Sequence, residues 1–412
     1  AIVSQSPNSL PLTSKTRRLT YDELNRAANR VARAILKSTF EGKRPVALLL
    51  NHDTPMVVAM MGALKAGKIY VPLDPSLPAP RIKAMLEDAQ AELVVTDDAV
   101  VSLADEATQG KIDRLNIDHL DGDIPDANLG LRQSPDTLAC ILYTSGTTGR
   151  PKGVLHSHRT MLHAVMLATN DFRLSAQDRI ALLLSCSVSV SIRFIFGALL
   201  NGASLRLFDA KQEGLVDLAN WLTKEEITIC GFVATTYRQF AGTLAETQVC
   251  PALRLICVGS ESVSQQDLEV FRKHFDDRCL LVIKYAANET GTIRNLFLAK
   301  TARVDGNVVP VGHAVEDKGV LLLDDAGKPI GFDTVGEIAV KSRYLSPGYW
   351  RRPDLTDARF LPDPDGGEER IYLTGDLGRM TPDGRLFHLG RKDLAVKIRG
   401  YTRETKPPKR RP

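Results

Sequence analysis

The sequence predicts an α/β protein with two layered α/β subdomains, mainly parallel sheets and a smaller β-rich subdomain of distorted-barrel form. Helical and strand-like segments alternate over the first three hundred residues, as in βαβ units. From about residue 305 the pattern changes to short strands joined by Pro, Gly and Asp turns such as TPDG. The 412 residues, of which 43% are hydrophobic, are enough to form a large core.

The elements of the α/β part are predicted from the spacing of apolar residues. A helix is predicted over residues 19–38, with Thr20 as its N-cap, because apolar side chains recur there at helical spacing. RPVALLL (44–50) predicts a buried strand, and the helix after it is expected to stop at Gly67. A further helix is predicted at 158–168. Strands are predicted at 91–96, 138–144, 179–185, 226–230, 253–259 and 280–286.

The β-rich part is expected to begin near residue 305. GEIAV (336–340), RIYLTGD (370–376), GRLFHLG (384–390) and LAVKIRG (394–400) predict short strands separated by turn residues. The basic string KPPKRRP at the end of the sequence predicts a disordered tail.

Charge and cysteine content narrow the classes of function. The 53 Lys and Arg residues and 49 Asp and Glu residues give a net charge of +4, which predicts no nucleic-acid or membrane binding. No run approaches about 18 consecutive apolar residues, and no signal peptide opens the sequence. The six cysteines lie far apart, which favours a reducing cytoplasm over a disulfide framework or a zinc site. We therefore expect a soluble cytoplasmic protein and, because the sequence starts without Met, a piece of a longer one.

The string YTSGTTGRPKG (143–153) predicts a phosphate-binding loop. Its glycines let successive backbone N–H groups point at an anion, while hydroxyl groups and one lysine add donors and charge. No Ser or Thr follows the lysine, so the spacing is not that of a Walker A loop, and a P-loop ATPase is disfavoured. The predicted phosphate-binding residues are Thr144, Ser145, Gly146, Thr147, Thr148, Gly149 and Lys152.

This loop resembles the signature loop of the superfamily that contains acyl-CoA synthetases, luciferases and nonribosomal peptide synthetase adenylation domains. Further strings resemble that family's blocks in the same order along nearly the whole sequence, and they are most similar to an adenylation domain. They are LTYDEL (19–24), LKAGKIYVPLDPSLP (64–78), YAANETGT (285–292), GEIAV (336–340), SPGYW (346–350), YLTGDLGRM (372–380) and GRKDLAVKIRG (390–400).

The resemblance implies contacts with ATP and Mg²⁺. Tyr285 would stack on adenine, and Glu289 would help to hold Mg²⁺, for which a carboxylate is a suitable ligand. Asp376 would bind the ribose hydroxyls, with Arg391 as a second ribose contact. The implied catalytic residues are Lys152 and Glu289. The remaining implied nucleotide contacts are Gly259 and Ser260 beside the adenine and Asn288 at the α-phosphate.

The sequence departs from the family pattern at two of these positions. Ala286 stands where the family has Gly, and Asn288 stands where it has the Thr that contacts the α-phosphate. An amide can still donate to a phosphate oxygen, but its reach differs from that of a hydroxyl. No catalytic role is assigned to His158, for which helix capping or packing is an equally good interpretation.

Alignment of NGASL (201–205) with the family's block locates a pocket for the acid substrate. Ser189 stands where amino-acid-activating domains carry an Asp, and a buried substrate ammonium facing only a hydroxyl would lack a counter-charge. We therefore expect an aryl, hydroxy or dicarboxylic acid, with Arg193 and Lys284 facing either a polar group of the acid or solvent. The predicted pocket residues are Ser189, Val190, Arg193, Ile256, Val258, Lys284, Thr292 and Ile293.

The resemblance also implies a domain organisation. Residues 1–393 match the large N-terminal core, with α/β sheets to about residue 304 and the β-rich part over 305–393. Asp393 matches the hinge to a small C-terminal lid, and residues 394–412 match the start of the lid followed by an atypical basic tail. We expect the lid to be absent, so that this chain binds ATP, adenylates weakly and forms no thioester.

The predicted function is ATP- and Mg²⁺-dependent activation of a carboxylic acid to an acyl-adenylate, with release of pyrophosphate. A carrier-protein phosphopantetheine or CoA would accept the acyl group in the full-length enzyme. Two alternatives stay open. One is a free-standing aryl- or acyl-CoA ligase core, and the other is a catalytically weak nucleotide-binding module, which Asn288 and the missing lid favour.

Overall fold

The computed structural model describes residues 7, 9–38, 42, 44–145, 151–245, 250–304, 306, 308–392, 395–398 and 401–404. The chain divides into two compact units. The first unit comprises Ala1–Tyr143 and Gly153–Glu213, and the second comprises Thr144–Lys152 and Gly214–Pro412.

The first unit is built from short strands and the helices that follow them. Its strands are β1 (Leu12–Thr13), β2 (Arg18–Leu19), β3 (Val46–Leu49), β4 (Tyr70–Leu73), β5 (Leu93–Thr96), β6 (Asp113–Asn116), β7 (Leu138–Ser145), β8 (Pro151–Ser157), β9 (Arg179–Leu182) and β10 (Ser204–Leu207), of which β7 and β8 run into the second unit. Its helices are α1 (Tyr21–Ser38), α2 (Thr54–Lys65), α3 (Ala79–Ala89), α4 (Val101–Thr108), α5 (His158–Phe172), α6 (Ser189–Leu200) and α7 (Ala210–Glu213), with a 3-10 helix at Ile117–His119.

One sheet has the strand order β6-β5-β3-β4-β7-β8, and its strands are parallel from β6 to β7. Strands β9, β10 and β1 are also parallel neighbours, whereas β2 is antiparallel to β1. All four residues of β3, β4 and β5 are buried, as parallel strands covered on both faces require.

Helix α1 begins as the sequence predicts. The Glu23 backbone N–H donates to the Thr20 hydroxyl at 3.2 Å, and the Thr20 N–H donates to the Glu23 carboxylate at 2.7 Å. This reciprocal pair is a capping box, which confirms Thr20 as the N-cap. Helix α2 ends at Lys65, just before Gly67, and α5 confirms the helix predicted at 158–168.

The second unit carries the remaining elements. Its strands are β11 (Ile229–Val233), β12 (Leu255–Gly259), β13 (Leu280–Ala287), β14 (Gly291–Leu298), β15 (His313–Ala314), β16 (Gly319–Leu323), β17 (Val335–Ser342), β18 (Phe360–Pro362), β19 (Arg370–Met380), β20 (Leu386–Arg391), β21 (Ala395–Ile398) and β22 (Tyr401–Glu404). Its helices are α8 (Leu218–Lys224), α9 (Ala234–Ala241), α10 (Gln265–His274) and α11 (Pro353–Arg359).

The sheets of the second unit change from parallel to antiparallel along the chain. Strands β11, β12 and β13 are parallel, and β14 and β15 continue the sheet antiparallel. The next sheet is antiparallel, with the order β16-β17-β19-β18 and with β20 also paired to β19. Strands β21 and β22 form a separate antiparallel pair. The α/β class and the β-rich region are therefore as predicted.

Some predicted elements need correction. The strand predicted at 226–230 lies instead at Ile229–Val233, because Glu226 adopts a left-handed conformation (φ +48°) in the turn after α8 and delays the strand. Residues Pro151–Gly153, predicted as the end of the phosphate loop, are instead the start of strand β8 (Pro151–Ser157), and Ser157 then caps α5. The sequence also does not predict the strands β1, β2, β4, β6, β10, β14, β15, β16, β18 and β22.

All six cysteines are buried free thiols in the cores of the two units. Burial raises the pKa of Cys140, Cys186 and Cys279 to about 12, so these thiols stay protonated at neutral pH. Among the described residues, no helix has the length and apolar character needed to cross a bilayer.

Candidate functional site

The predicted phosphate loop connects strands β7 and β8. At its two ends the Thr144 hydroxyl donates to the backbone carbonyl of Lys152 at 3.4 Å. This contact ties the end of one strand to the start of the next. Four predicted contacts, Gly146, Thr147, Thr148 and Gly149, lie outside the described residues, and the Ser145 side chain is not described either.

The Lys152 ammonium meets the carboxylate predicted to hold the metal. Lys152 Nζ lies 3.0 Å from Glu289 Oε1, although the two residues are 137 positions apart in sequence. Glu289 is 7% exposed and lies in the turn between β13 and β14. Its backbone carbonyl accepts a hydrogen bond from the Ser346 N–H at 2.8 Å. The fold therefore brings the two predicted catalytic residues into direct contact.

Tyr349 contacts both members of this ion pair. Its hydroxyl donates to Glu289 Oε1 at 2.9 Å, and Lys152 Nζ lies 4.1 Å from the centre of its ring. The Tyr349 hydroxyl is also 3.4 Å from the hydroxyl of Tyr372. Oxygen Oε1 of Glu289 thus accepts from one cation and one phenol.

The protonation states of this cluster follow from its contacts. Burial raises the pKa of Glu289, but the charge and hydrogen bond of Lys152 and the hydrogen bond from Tyr349 outweigh that effect, so the pKa lies below its ordinary value. Burial, and then the Glu289 charge, raise the pKa of Tyr349. At neutral pH the cluster therefore contains a carboxylate and a neutral phenol.

Asp376, the predicted ribose ligand, lies inside β19 and is 4% exposed. The Tyr285 hydroxyl donates to Asp376 Oδ2 at 2.7 Å. Arg391 Nη1 donates to Oδ1 at 3.1 Å, and His388 Nε2 lies 3.5 Å from Oδ2. The structure therefore brings two other predicted nucleotide contacts, Tyr285 and Arg391, to the Asp376 carboxylate and adds a histidine.

The side chain of Tyr285 is placed by an irregularity in the sheet. The pairing of β13 with β14 shifts register between Tyr285 and Ala286, and such bulges redirect side chains. The Tyr285 ring lies 5.4 Å from the His388 ring. Burial and the Asp376 charge raise the pKa of Tyr285 well above its ordinary value, so its hydroxyl acts as a donor.

The segment predicted to flank the adenine follows strand β12. Gly259 is the last residue of that strand, and Ser260 adopts a left-handed conformation with φ +67°. The next residue, Glu261, accepts a hydrogen bond from the backbone N–H of Thr235 at 2.9 Å. A side chain with a Cβ is strained at such a φ, and strain of this kind is often found at ligand sites.

The chemistry of these groups fits a nucleotide with Mg²⁺. The buried Oδ1 of Asn288 has no hydrogen-bond partner among the described residues. This amide oxygen and the Glu289 carboxylate are hard oxygen ligands. The described residues contain no group of three or more His, Cys, Asp or Glu side chains able to hold a metal ion. Mg²⁺ is commonly held by one or two carboxylates together with phosphates, so this donor set suits it.

Sequence comparison assigns the chain to a family. The model of the family described as AMP-binding enzyme matches residues 2–350. The chain belongs to this family. The blocks that carry Lys152, Glu289 and Tyr349 all lie within the matched region.

The curated relatives of this AMP-binding enzyme are nonribosomal peptide synthetases. Tyrocidine synthase 1 from Brevibacillus parabrevis is 32% identical over 96% of this chain, which covers 36% of that protein. Surfactin synthase subunit 2 from Bacillus subtilis is 33% identical over 96% of this chain, which covers 11% of that protein. The chain therefore spans at most about a third of the length of these relatives and resembles their adenylation domains.

Solved structures give the same fold. The nonribosomal peptide synthetase FmoA3 has a TM-score of 0.86 and 27% identity, and the alignment covers 95% of this chain and 42% of that one. The Klebsiella oxytoca NpsA N-terminal subdomain, in complex with 3-hydroxybenzoyl-AMSN, has a TM-score of 0.83 and 23% identity, and the alignment covers 95% of this chain and 97% of that one. The second likeness concerns the fold alone.

The predicted acid-pocket residues of the AMP-binding enzyme are divided between the units. Ile256 and Val258 share one face of β12 and are both buried. Lys284 pairs in register with Gly259, so it lies on the other face of the sheet. Ser189, Val190 and Arg193 lie on α6 in the first unit, whereas Lys284 on β13 and Thr292 and Ile293 on β14 belong to the second. Arg193 and Lys284 are buried, which disfavours the interpretation that they face solvent.

Sequence reasoning missed two residues of the site. Tyr349 lies in SPGYW, which resembles a family block, and His388 lies in GRLFHLG, which was predicted as a strand. Neither side chain was given a role. The position of Tyr349 in a block that resembles the family was the one feature of the sequence that indicated a role in the site. The predicted hinge residue, Asp393, lies outside the described residues.

Proposed function

We propose that the chain is an adenylation domain that activates a carboxylic acid with ATP and Mg²⁺, forming an acyl-adenylate and releasing pyrophosphate. The observation that carries this proposal is the pair of buried carboxylates in the second unit. Glu289 is paired with Lys152, and Asp376 is contacted by Tyr285 and Arg391. The Glu289 carboxylate is suited to binding a metal ion that also contacts phosphate, and the Asp376 carboxylate is suited to accepting hydrogen bonds from two hydroxyl groups.

The proposed reaction needs little covalent chemistry from the protein. A carboxylate oxygen forms a bond to the α-phosphorus of ATP, and the bond from that phosphorus to the oxygen bridging to the β-phosphate breaks, so that pyrophosphate leaves. Two anions must meet, and positioning with charge screening lowers that barrier. When bound, Mg²⁺ supplies charge neutralisation at the phosphates.

The residues of the chain have separate tasks in this scheme. Lys152 donates to phosphate oxygens, and Glu289 holds the metal. Asp376 accepts hydrogen bonds from the ribose hydroxyls and fixes the nucleoside, while Tyr285 packs against the adenine. The amide of Asn288 donates to the α-phosphate in place of a hydroxyl.

We propose an aryl, hydroxy or dicarboxylic acid as the substrate class and a carrier-protein phosphopantetheine as the acyl acceptor. Ser189 supplies no negative charge for a substrate ammonium. Two neighbours of the same fold support this class of partners. NpsA was solved with a 3-hydroxybenzoyl compound, and NpsA-ThdA is an artificially fused adenylation–PCP di-domain.

Calorimetric titration of the purified chain with ATP, with and without Mg²⁺, tests the nucleotide site. We expect Mg²⁺-dependent binding that Glu289→Gln weakens by about tenfold, the effect of a lost interaction with a charged group. Glu269→Gln, an exposed residue of α10, is the matched control and should bind normally. Undetectable ATP binding by the unsubstituted chain would sink the proposal.

A hydroxylamine-trapping screen of aryl, hydroxy, dicarboxylic and α-amino acids tests the reaction and its substrate. We expect hydroxamate formation, in the chain fused to a C-terminal lid of this family, from one class other than the α-amino acids. Hydroxamate formation from α-amino acids only would contradict the inference that Ser189 disfavours a substrate with an ammonium group.

Asn288 favours a second candidate, a nucleotide-binding module without adenylation. Asn288 stands where the resemblance puts a Thr that contacts the α-phosphate, and its buried Oδ1 has no hydrogen-bond partner among the described residues. ATP binding without any acid-dependent release of pyrophosphate would support this candidate over the first. A free-standing CoA ligase is distinguished by testing CoA and a carrier protein as acceptors.

A further inference from the structure

We propose that Tyr349 is a positioning residue that fixes the phosphate-binding cation, Lys152, and the metal-binding carboxylate, Glu289, in their positions relative to each other. This inference rests on the proposed function, because it takes Lys152 as the phosphate ligand and Glu289 as the metal ligand. Tyr349 itself contacts neither the nucleotide nor the metal in this scheme. It acts through the two charged side chains.

Tyr349 makes these two contacts with different parts of its side chain. The ring face lies 4.1 Å from Lys152 Nζ, within the range of a cation–π interaction. The hydroxyl donates to Glu289 Oε1 at 2.9 Å. Because the ring serves the cation and the hydroxyl serves the anion, removing the hydroxyl alone separates the two contacts.

The Tyr349 side chain is itself well fixed. It is 4% exposed, and its ring packs edge-on against Phe360 with centres 5.5 Å apart. Its backbone N–H donates to the hydroxyl of Thr356 at 3.0 Å. The Tyr372 hydroxyl lies 3.4 Å beyond the Tyr349 hydroxyl. A side chain held on every side is a suitable reference point for two charged groups.

The hydrogen bonds at Glu289 Oε1 determine how the carboxylate is oriented after Lys152 leaves it. Lys152 and Tyr349 both donate to that oxygen, so Lys152 is not free for a phosphate while the pair is closed. When Lys152 turns to a phosphate, the phenol still donates to Oε1. The terminal torsion of a glutamate is broad, so without this hydrogen bond the carboxylate would lose its fixed orientation toward a metal.

Two substitutions test these contacts separately. Tyr349→Phe keeps the ring, so metal-free ATP binding should be unchanged, while the Mg²⁺ concentration for half-maximal ATP binding should rise about tenfold through the lost hydrogen bond to a charged group. Tyr349→Leu removes both contacts, so metal-free ATP binding should weaken as well. Tyr344→Phe, which removes a hydroxyl that accepts from Arg343, is the matched control and should leave both quantities unchanged.

A spectroscopic readout needs no ligand. The Tyr349 ring current should shift the NMR signal of the Lys152 ε-methylene group upfield, because Lys152 Nζ lies over the ring. We expect this shift to persist in Tyr349→Phe and to vanish in Tyr349→Leu. An unshifted signal in the unsubstituted chain would overturn the proposal. Thermal melting of each variant shows whether it is folded.

A double-mutant cycle decides whether Tyr349 acts through Glu289. In a Glu289→Gln background, Tyr349→Phe should have no further effect on the Mg²⁺ dependence. An equal effect in both backgrounds would reduce Tyr349 to a packing residue and overturn its positioning role. Failure of the unsubstituted chain to bind ATP overturns the proposed function, whereas normal Mg²⁺ dependence in Tyr349→Phe overturns only the role of Tyr349.

Discussion

Glu289 and Asp376 have similar surroundings that are built in different ways. Both are nearly fully buried, and each accepts a hydrogen bond from a tyrosine hydroxyl and faces a cation. Arg391 pairs in register with Asp376 on the neighbouring strand. Lys152, by contrast, reaches Glu289 from the end of a loop 137 positions away.

This difference separates a fixed site from an exchangeable one. Sheet register determines one partner of Asp376, Arg391 on β20, so this partner is part of the fold. The partner of Glu289, Lys152, belongs to the predicted phosphate loop and lies in the first residues of β8, so a phosphate bound there can replace the carboxylate as the ligand of Lys152. We infer that the ribose side is preorganised and that the phosphate side rearranges on binding.

The largest expected effect is on ATP binding, and it tests whether Asp376 binds the nucleoside while Glu289 binds Mg²⁺. Asp376→Asn should weaken ATP binding by about a hundredfold, because two hydrogen bonds to a charged group are lost. The Mg²⁺ concentration for half-maximal ATP binding should not change, because Glu289 is intact. Calorimetry measures both quantities, with the exposed Asp357→Asn as control. If Asp376→Asn also raised the Mg²⁺ concentration for half-maximal ATP binding, the two carboxylates would not have separate ligands.

The next prediction concerns stability on the phosphate side. Lys152→Met leaves the buried Glu289 carboxylate without its cation, and we expect a loss of about 2 kcal/mol in the free energy of unfolding at about pH 7. This value is below the about 3–5 kcal/mol typical of a fully buried pair, because the Lys152 side chain is 27% exposed. Urea denaturation of both proteins measures the difference.

The pH dependence of that difference has a definite sign. In the unsubstituted protein the pKa of Glu289 is lowered, so its stabilisation is present above the unfolded pKa of about 4.3 and is lost as the pH falls through the folded pKa. In Lys152→Met, the charge and hydrogen bond of Lys152 no longer oppose burial and only the hydrogen bonds from Tyr349 and the backbone do, so the folded pKa of Glu289 is higher and its ionised form contributes less stability at higher pH. The difference should therefore shrink as the pH is lowered toward about 4. A difference independent of pH would contradict this account.

A smaller effect is expected at Gly375 on the ribose side. Gly375 has φ +74°, and a Cβ there would lie 3.0 Å from Arg391 Nη2. Gly375→Ala should destabilise the fold by about 1–2 kcal/mol and, by displacing Arg391, weaken ATP binding several-fold. Gly366, with φ +81° and open space around its Cβ position, is the matched control. Gly366→Ala should cost similar stability and leave ATP binding unchanged.

The smallest effect is expected at Ser260, which carries strain beside the predicted adenine site. Ser260→Gly should stabilise the fold by about 0.5 kcal/mol, because relief of the left-handed conformation (φ +67°) exceeds the entropy cost of glycine. Thermal melting measures the gain. A lower melting temperature would show that the Ser260 side chain stabilises this segment.

The sequence is sufficient to predict the fold class and about half of the strands that the described residues form, because buried strands are continuous apolar runs. Strand β4 is harder to recognise because its YVPL sequence contains a proline, which normally argues against a strand. Strand β8 begins directly after a Gly-rich loop, with Pro151 as its first residue. In both cases tertiary pairing overrides the local signal.

The site itself was predicted as separate residues rather than as contacts. Lys152, Glu289 and Asp376 belong to strings with recognisable chemistry. The tyrosine hydroxyls that donate to the two carboxylates were not predictable, because each joins segments 60 or 91 positions apart. His388 was missed because the register of β19 with β20, which brings it near Asp376, cannot be read from the sequence.

The buried thiols have a practical consequence for experiments on this protein. All six cysteines are buried, and several have a pKa of about 12, so almost no thiolate is available to an alkylating reagent under neutral conditions. A single cysteine introduced at an exposed position would therefore be the one group that a maleimide dye reaches. Fluorescent labelling for distance measurements would not require replacing the native cysteines first.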